Sequence, residues 1–174
     1  MKKFSKKYKK HQMIHLIVGN TGSGKTTYSN ELKRKTNGIV FSIDKWNNTL
    51  FLADKKPTDG LEWFLERIER AEKMIMDLIK QLENSKTDSI LDLGFSKQEH
   101  REKFRQFANT NNYELTIHFL DISKDVRLNR VMKRNTEKGE TFEFEVSQEN
   151  FDFMENWFEK PTEKELIEGI IITE

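Results

Sequence analysis

Gly19-Asn20-Thr21-Gly22-Ser23-Gly24-Lys25-Thr26 is the stretch that decides the fold of this chain of 174 residues. It fits the pattern G-x-x-x-x-G-K-[S/T] at every fixed position, between a short apolar run and a predicted helix. Glycines let the backbone fold closely around phosphate groups with its N–H groups pointing inward. The positive N-terminal end of the following helix would face the same anion. The pattern therefore predicts a phosphate-binding loop, or P-loop.

Two residues of this loop are predicted to touch a bound triphosphate directly. Lys25 would reach the β- and γ-phosphates, and Thr26 would supply a hydroxyl to Mg²⁺. We expect ATP and Mg²⁺ as ligands, because the sequence has no guanine-reading N-K-x-D and no D-x-x-G after the third predicted strand. The residues predicted to bind the nucleotide are Gly19, Asn20, Thr21, Gly22, Ser23, Gly24, Lys25, Thr26 and Thr27.

Apolar runs alternate with amphipathic segments along the chain. This alternation predicts right-handed βαβ units and a three-layer α/β/α sandwich with about five mainly parallel strands, the first of them central. Ser96 and Ser123 are predicted to cap the third and fourth helices. The predicted strands are 14–18, 39–43, 89–93, 115–120 and 169–173, and the predicted helices are 25–36, 61–84, 97–109, 124–135 and 147–159.

Two aspartates follow predicted strands at the edge of the sheet where ligands of such folds bind. Asp44 follows the second strand and would take the proton of an attacking hydroxyl and orient it. Asp92 ends the apolar run of the third strand and would hold Mg²⁺ through water or position the acceptor. The alternatives are a strand-end cap or surface charge for Asp44, and a structural hydrogen bond to the P-loop for Asp92.

Three arginines, Arg127, Arg130 and Arg134, share one face of the fourth of these helices. Arginines that arrive from a mobile lid stabilise the negative charge of phosphoryl transfer. The charged segment 135–146 follows and is predicted to be that lid. Arg130 and Arg134 lie closest to it and are the predicted catalytic arginines, with a solvated helical face as the alternative.

Composition indicates one water-soluble domain with a charged surface. The net charge is +1, and charged residues make up 34% of the chain. No cysteine is present, which excludes disulfides and thiolate metal sites. No apolar run approaches the ~18 residues of a membrane helix, so we expect a cytoplasmic protein without membrane contact. Six lysines crowd residues 1–12, which are predicted to be a solvated basic arm preceding the domain at 13–174.

Several bulky or charged side chains are expected to be structural. Arg101, Arg105 and His100 are predicted to lie on a solvated surface. Trp46 could fill the core or stack on an acceptor. A second set, predicted to pack in the core rather than to form a platform for bases, comprises Phe151, Phe153, Trp157 and Phe158.

In motif order, residues 13–135 resemble the small AAA-type P-loop kinases that include chloramphenicol phosphotransferase, zeta toxin and polynucleotide 5′-hydroxyl kinase. The resemblance implies ATP-dependent phosphoryl transfer to a hydroxyl. It also implies that Asp44 is the base for the acceptor, and that Lys25, Thr26 and the lid arginines bind the nucleotide. Several members have an arginine soon after that aspartate, whereas Lys45-Trp46 follows here.

Three functions remain open at this point. The chain could phosphorylate a small molecule or nucleotide, act as a polynucleotide 5′-hydroxyl kinase, or bind ATP without catalysis. The sequence predicts a kinase with an unidentified hydroxyl acceptor. A nucleic-acid contact by the basic arm is conceivable but not favoured, and the oligomeric state is not indicated.

Overall fold

The computed structural model describes residues 12–139, 142 and 145–174. Strands alternate with one or more helices from the first strand onward, as the hydrophobic pattern predicts, and a short helix and a 3₁₀ turn at Leu52–Asp54 are added after the second strand. The strands are β1 (Met13–Val18), β2 (Ile39–Ser42), β3 (Ser89–Asp92), β4 (Glu114–Leu120) and β5 (Ile170–Ile172). The helices are α1 (Lys25–Thr36), α2 (Ile43–Leu50), α3 (Leu61–Ser85), α4 (Gln98–Asn111), α5 (Lys124–Glu137) and α6 (Gln148–Trp157).

The strands form one parallel sheet in the order β2-β3-β1-β4-β5. Ile14 of β1 lies opposite Ser89 of β3 on one side and Leu115 of β4 on the other. The predicted α/β architecture, its five parallel strands and the central position of β1 are therefore confirmed. Because β1 runs into the P-loop, this loop leaves the sheet between two neighbouring strands, where both can contribute side chains.

Alternating residues of the central strand face two different helical layers, since successive side chains of a strand point to opposite faces. Ile14, Leu16 and Val18 are fully buried in a cluster with residues of α3 and α4. Ile17 points the other way, into a cluster bounded by Tyr28 and Leu32 of α1 and by residues of α5. Both faces of the sheet are covered, which explains why its strands read as nearly continuous apolar runs.

The second strand ends earlier than the sequence suggests. The apolar run continues through Ile43, but β2 ends at Ser42, whose side chain accepts a hydrogen bond from the backbone N–H of Lys45 and caps α2. Asp44 therefore lies in the first turn of a helix that the sequence analysis missed. β3 likewise ends at Asp92, one residue before the predicted end.

The predicted serine cap of α4 is wrong, whereas that of α5 is confirmed in position but not in its hydrogen bond. Ser96 donates its hydroxyl hydrogen to the carbonyl of Gly94, and α4 begins two residues later, at Gln98. The carboxylate of Glu159, from the far end of the chain, accepts the N–H of Gln98 instead. Ser123 does precede α5, but its side chain makes no capping hydrogen bond.

No helix in the described part of the chain is both long and apolar enough to cross a membrane. The predicted basic arm lies outside the described residues except for Gln12, and positions 140, 141, 143 and 144 of the predicted lid lie outside them too. The division into an arm and a domain stays a prediction.

Candidate active site

The P-loop requires glycine where it passes closest to α5. Gly22 has a φ of +81°, and a Cβ atom there would lie 2.5 Å from the backbone oxygen of Arg127. Gly24 has a φ of +92° and caps α1 with its backbone. These left-handed conformations turn the chain sharply into the helix, which is the geometry of a loop that surrounds an anion.

Lys25 bends back over the loop that precedes it. Its ammonium group donates hydrogen bonds to the backbone oxygens of Gly19 at 3.0 Å and Asn20 at 3.3 Å. Burial lowers the pKa of Lys25, and the carboxylates of Asp92 and Asp44 oppose this shift. The structure thus brings the predicted lysine and both predicted aspartates into one electrostatic cluster.

A direct hydrogen bond joins Thr26 to Asp92. The threonine hydroxyl donates to a carboxylate oxygen of Asp92 over 2.9 Å. Burial raises the pKa of Asp92, while Lys25 and the hydrogen bond from Thr26 oppose the rise. The pair offers one hydroxyl and one carboxylate, which are hard oxygen donors of the kind that Mg²⁺ prefers.

The described residues contain no cluster of three or more acidic, histidine or cysteine side chains that could hold a metal alone. An ion at Thr26 and Asp92 would therefore need further ligands from water or from phosphate oxygens. Mg²⁺ in phosphotransferases is bound in that way, by one or two protein groups together with the substrate phosphates. The residues present fit a magnesium ion that arrives with the nucleotide.

Asp44 and Arg134 complete the cluster from two other helices. Burial lowers the pKa of Arg134, and the carboxylate of Asp44 opposes this shift. The Nε atom of Arg134 is buried and has no hydrogen-bond partner among the described residues, and the same holds for the hydroxyl of Ser23 in the P-loop. Two buried polar groups without partners, beside a lysine, indicate a site shaped for an anion.

The three arginines of α5 have different environments. Arg127 is buried and forms an ion pair with Glu155 of α6, and it also donates to the backbone oxygens of Ile122 and Thr21. Arg130 is exposed, with its guanidinium 3.4 Å from the backbone oxygen of Ser23. Arg127 therefore holds α5, α6 and the P-loop together, while Arg130 remains accessible at the rim of the site.

The two ends of the predicted lid are joined by one side chain. The amide of Asn135 donates to the backbone oxygen of Val146 and accepts the N–H of the same residue. Val146 is buried against Val131 and Phe151. The segment 135–146 thus begins and ends at a fixed point beside α5, although its role as a lid stays a prediction.

A cavity of about 1340 Å³ connects these groups with a second, wider region. One end is formed by the P-loop with Asp44, Asp92, Arg130 and Arg134. The other end, which we call the acceptor half, is formed by residues of α3, α4 and α6 and by the loop 93–97. A typical ligand pocket measures roughly 300–1,000 Å³, so this cavity has room for two molecules side by side.

Two aromatic residues that the sequence analysis assigned to the core line this cavity instead. Phe151 is fully buried, as predicted, but Phe153 is 56% exposed and Trp157 is 42% exposed. Both line the cavity and stack on each other, with ring centroids 5.7 Å apart. Their spacing of four residues places Phe153 and Trp157 on one face of α6, opposite to the buried Phe151. This spacing could have indicated from the sequence that the two residues do not share the core position of Phe151.

Arg101 and His100 also differ from expectation. Arg101 is fully buried and forms an ion pair with Glu165, so it is a structural residue and not part of a solvated face. His100 contacts the buried carboxylate of Glu72, which also binds Lys103. Burial alone would raise the pKa of Glu72, but these hydrogen bonds hold it below its usual value.

Comparison with known proteins agrees with this architecture. A family model described as an AAA domain matches residues 14–161. A search of curated proteins finds no match. The chain is similar to Kti12 of Chaetomium thermophilum in complex with ADP-AlF3, with a TM-score of 0.68 and 14% identity over 92% of this chain and 88% of that one.

Two kinases have a similar structure. APS kinase CysC of Mycobacterium tuberculosis, in complex with AMPPNP and APS, gives a TM-score of 0.63 and 16% identity over 94% of this chain and 88% of that one. A gluconokinase from Sinorhizobium meliloti 1021 gives a TM-score of 0.57 and 14% identity over 94% and 82%. At these identities the likeness establishes the fold of P-loop kinases, and the family match establishes that the chain belongs to the AAA domain family.

Proposed function

We propose that this protein is a kinase that transfers the γ-phosphate of ATP to a hydroxyl group. The observation that carries the proposal is the convergence of Asp44 and Arg134 on Lys25, at one end of a cavity large enough for two molecules. A module that only bound ATP would need the lysine but not a carboxylate and an arginine beside it.

The nucleotide would be held by the loop from Gly19 to Thr27. Inward N–H groups and the ammonium of Lys25 bind its phosphates, and the unpartnered hydroxyl of Ser23 and Nε of Arg134 gain acceptors. Thr26 and Asp92 are the residues that would hold Mg²⁺. When bound, the ion neutralises charge on the phosphates and makes the γ-phosphorus easier to attack.

Asp44 is the proposed base. The oxygen of the acceptor hydroxyl forms a bond to the γ-phosphorus, the bond between that phosphorus and the β,γ-bridging oxygen breaks, and ADP leaves. The hydroxyl proton passes to the carboxylate of Asp44. Arg130 and Arg134 stabilise the negative charge that spreads over the transferred group.

The test is a screen with γ-labelled ATP and Mg²⁺ over alcohols, sugars, nucleosides and oligonucleotides with a free 5′-hydroxyl. Asp44→Asn should keep the affinity for ATP and lose transfer by roughly 10²–10⁴-fold, the usual contribution of a positioned base. Asp54→Asn, an exposed aspartate of the following turn, is the matched control and should transfer label at the wild-type rate.

A second pair of variants examines the phosphate site. Lys25→Met should abolish measurable ATP binding in calorimetry, whereas Lys33→Met, on the exposed last turn of the same helix, should not change it. Wild-type transfer by Asp44→Asn would remove Asp44 from the mechanism and make Asp92 the next candidate. Tight ATP binding with no labelled acceptor in the whole screen would instead support an ATP-binding module without catalysis.

A further inference from the structure

The acceptor half of the cavity has an aromatic wall that packing does not explain. Phe153 and Trp157 face the cavity in a stacked pair while remaining about half exposed. Aromatic side chains left open to water inside a concave site are a common means of binding flat ligands. Across the same cavity, Leu65 and Ile68 of α3 add apolar surface.

This wall is held firmly in place. Glu155 of α6 binds Asn20 of the P-loop at 2.6 Å and also binds Arg127. Beyond the end of α6, Glu159 binds the backbone N–H of Gln98 and the ammonium of Lys97. Because the last turn of α6 is bonded to the P-loop, and the chain just beyond it is bonded to the start of α4, the C-terminal part of its aromatic face has a fixed position in the cavity wall.

The positive groups of the acceptor half are already paired. Among the described residues that line it, the lysines are Lys97, which binds Glu159 at 3.0 Å and lies over the Trp157 ring, and Lys103, which binds Glu72 at 2.7 Å. His100 contacts Glu72 as well. A phosphate on the acceptor would have to displace one of these carboxylates to obtain a cation.

Carboxylates are more numerous on this side than cations. Glu69, Glu99 and Glu102 line the acceptor half in addition to Glu72, while Lys73 and Arg105, which pair with Glu69 and Glu102, lie outside the lining. The cations that line the phosphate end are Lys25 of the P-loop and Arg130, Lys133 and Arg134 of α5. The cavity is therefore polarised, with its positive end at the P-loop and a neutral to negative end where the acceptor must lie, which repels an anionic acceptor.

Building on the proposed kinase activity, we propose that Phe153 and Trp157 form the acceptor subsite, and that the acceptor is an alcohol that carries a flat ring and no anionic group. The ring stacks on the aromatic pair, and the hydroxyl points along the cavity toward Asp44. Polynucleotide ends and sugar phosphates are excluded by charge.

Binding is measured by calorimetry in the presence of AMPPNP and Mg²⁺, so that it does not depend on catalysis. The probes are matched by ring: thymidine against thymidine 3′-monophosphate and a 5′-hydroxyl oligothymidylate, and 4-nitrobenzyl alcohol against 4-nitrobenzyl phosphate, with glucose as the alcohol lacking a flat ring. We expect at least one uncharged ring-bearing alcohol to bind at least about 10-fold more tightly than its phosphate-bearing counterpart and than glucose.

Variants of the wall then locate the subsite. Trp157→Leu keeps apolar volume but removes the ring, and should weaken binding of that alcohol by about 10-fold, the loss typical of one stacked ring. Trp157→Phe keeps a ring and should restore most of the affinity. Trp63→Leu, on α3 outside the cavity lining, is the matched control. Unchanged affinity for AMPPNP shows that each variant is folded.

The proposal is overturned if a phosphate-bearing probe or glucose binds more tightly than the uncharged ring compounds, if none of those compounds binds, or if Trp157→Leu leaves their affinity unchanged. A parallel assay with γ-labelled ATP distinguishes a failure of the kinase activity from a failure of the subsite. A bound alcohol that is never labelled contradicts the kinase activity and leaves the subsite standing. Transfer to a compound whose use is unaffected by Trp157→Leu contradicts the subsite and leaves the kinase standing.

Discussion

The hydroxyl of Thr26 donates a hydrogen bond to Asp92 over 2.9 Å and so links the first turn of α1 to the carboxyl end of β3. Since β3 lies beside β1 in the sheet, this bond connects the P-loop with the strand next to it. Because the hydroxyl hydrogen of Thr26 points to the carboxylate, the lone pairs of the hydroxyl oxygen remain available to a cation. The two alternatives for Asp92, a structural bond and a metal role, are therefore compatible.

The first prediction concerns this pair. Thr26→Val preserves the shape of the side chain but removes the hydroxyl, and should weaken binding of ATP in the presence of Mg²⁺ by about 10- to 100-fold, the usual range for lost metal-site groups. Thr26→Ser should bind within a few-fold of the wild type. Calorimetric titration with Mg²⁺ and with EDTA measures both. If valine and threonine give equal Mg²⁺-dependent affinity, Thr26 is not a metal ligand.

The second prediction separates two arginines of α5. Arg127→Ala leaves the carboxylate of Glu155 without its bidentate partner, and should lower the free energy of unfolding by about 3–5 kcal/mol. Arg130→Ala should change that free energy by less than about 0.5 kcal/mol, because the side chain is exposed, but should slow phosphoryl transfer. Urea unfolding and label transfer are measured on both variants. Arg127→Ala should show the larger loss of stability, and Arg130→Ala the larger loss of transfer.

The third prediction compares two glycines of the P-loop. A Cβ atom at Gly22 would lie 2.5 Å from the backbone oxygen of Arg127, which cannot move without shifting α5. At Gly24 the nearest atom would be a guanidinium nitrogen of Arg130 at 3.9 Å. Both positions have a positive φ, so Gly22→Ala should cost roughly 1–3 kcal/mol more unfolding free energy than Gly24→Ala. Equal losses in nucleotide-free urea unfolding would contradict this packing argument.

The sheet and the phosphate end of the site could be predicted because their signals are local. The P-loop motif, the apolar strands and the aspartates after them are contiguous in the chain, and parallel topology brings strand ends together. The start of α2 could not be separated from β2, because Ile43 continues an apolar run and only the cap at Ser42 ends the strand. Asp44, the proposed base, was selected from the sequence although the helix that carries it was not predicted.

The acceptor half depends on partners far apart in sequence. The buried guanidinium of Arg101 is satisfied by the carboxylate of Glu165 and by backbone oxygens of Phe95 and Glu159, and the side chain of Glu159 caps α4. The long-range contacts with Glu165 and Glu159 cannot be recognised from neighbouring residues in the sequence. Arg101, a charged residue on a predicted helix, was therefore assigned to the surface. Phe153 and Trp157 were assigned to the core because aromatic residues are usually buried. Their exposure depends on the position of α6, which is set by the long-range hydrogen bonds of Glu155 and Glu159.

A buried chain of polar groups lies on the face of the sheet that packs against α1. The hydroxyl of Tyr28 bonds Nδ1 of His118 at 2.7 Å, and Nε2 of His118 bonds Nδ1 of His15 at 2.9 Å. The other nitrogen of the His15 ring lies 3.5 Å from Asp88. Burial lowers the pKa of His118 to about 4, and His15 adds to the shift. His118 is therefore neutral in the folded protein near pH 7.

The last prediction follows from that shift. In the unfolded chain His118 takes up a proton near pH 6.5, whereas in the folded protein it does so only near pH 4, so between these values the unfolded state binds more protons. Stability contributed by the neutral ring is complete above pH 6.5 and is lost as the pH falls toward 4, by up to about 3 kcal/mol. His118→Gln removes the titrating group, and its free energy of unfolding, measured in urea from pH 4 to pH 8, should fall less steeply with acid than that of the wild type. Parallel curves for the wild type and His118→Gln would show that this ring does not set the acid sensitivity of the fold.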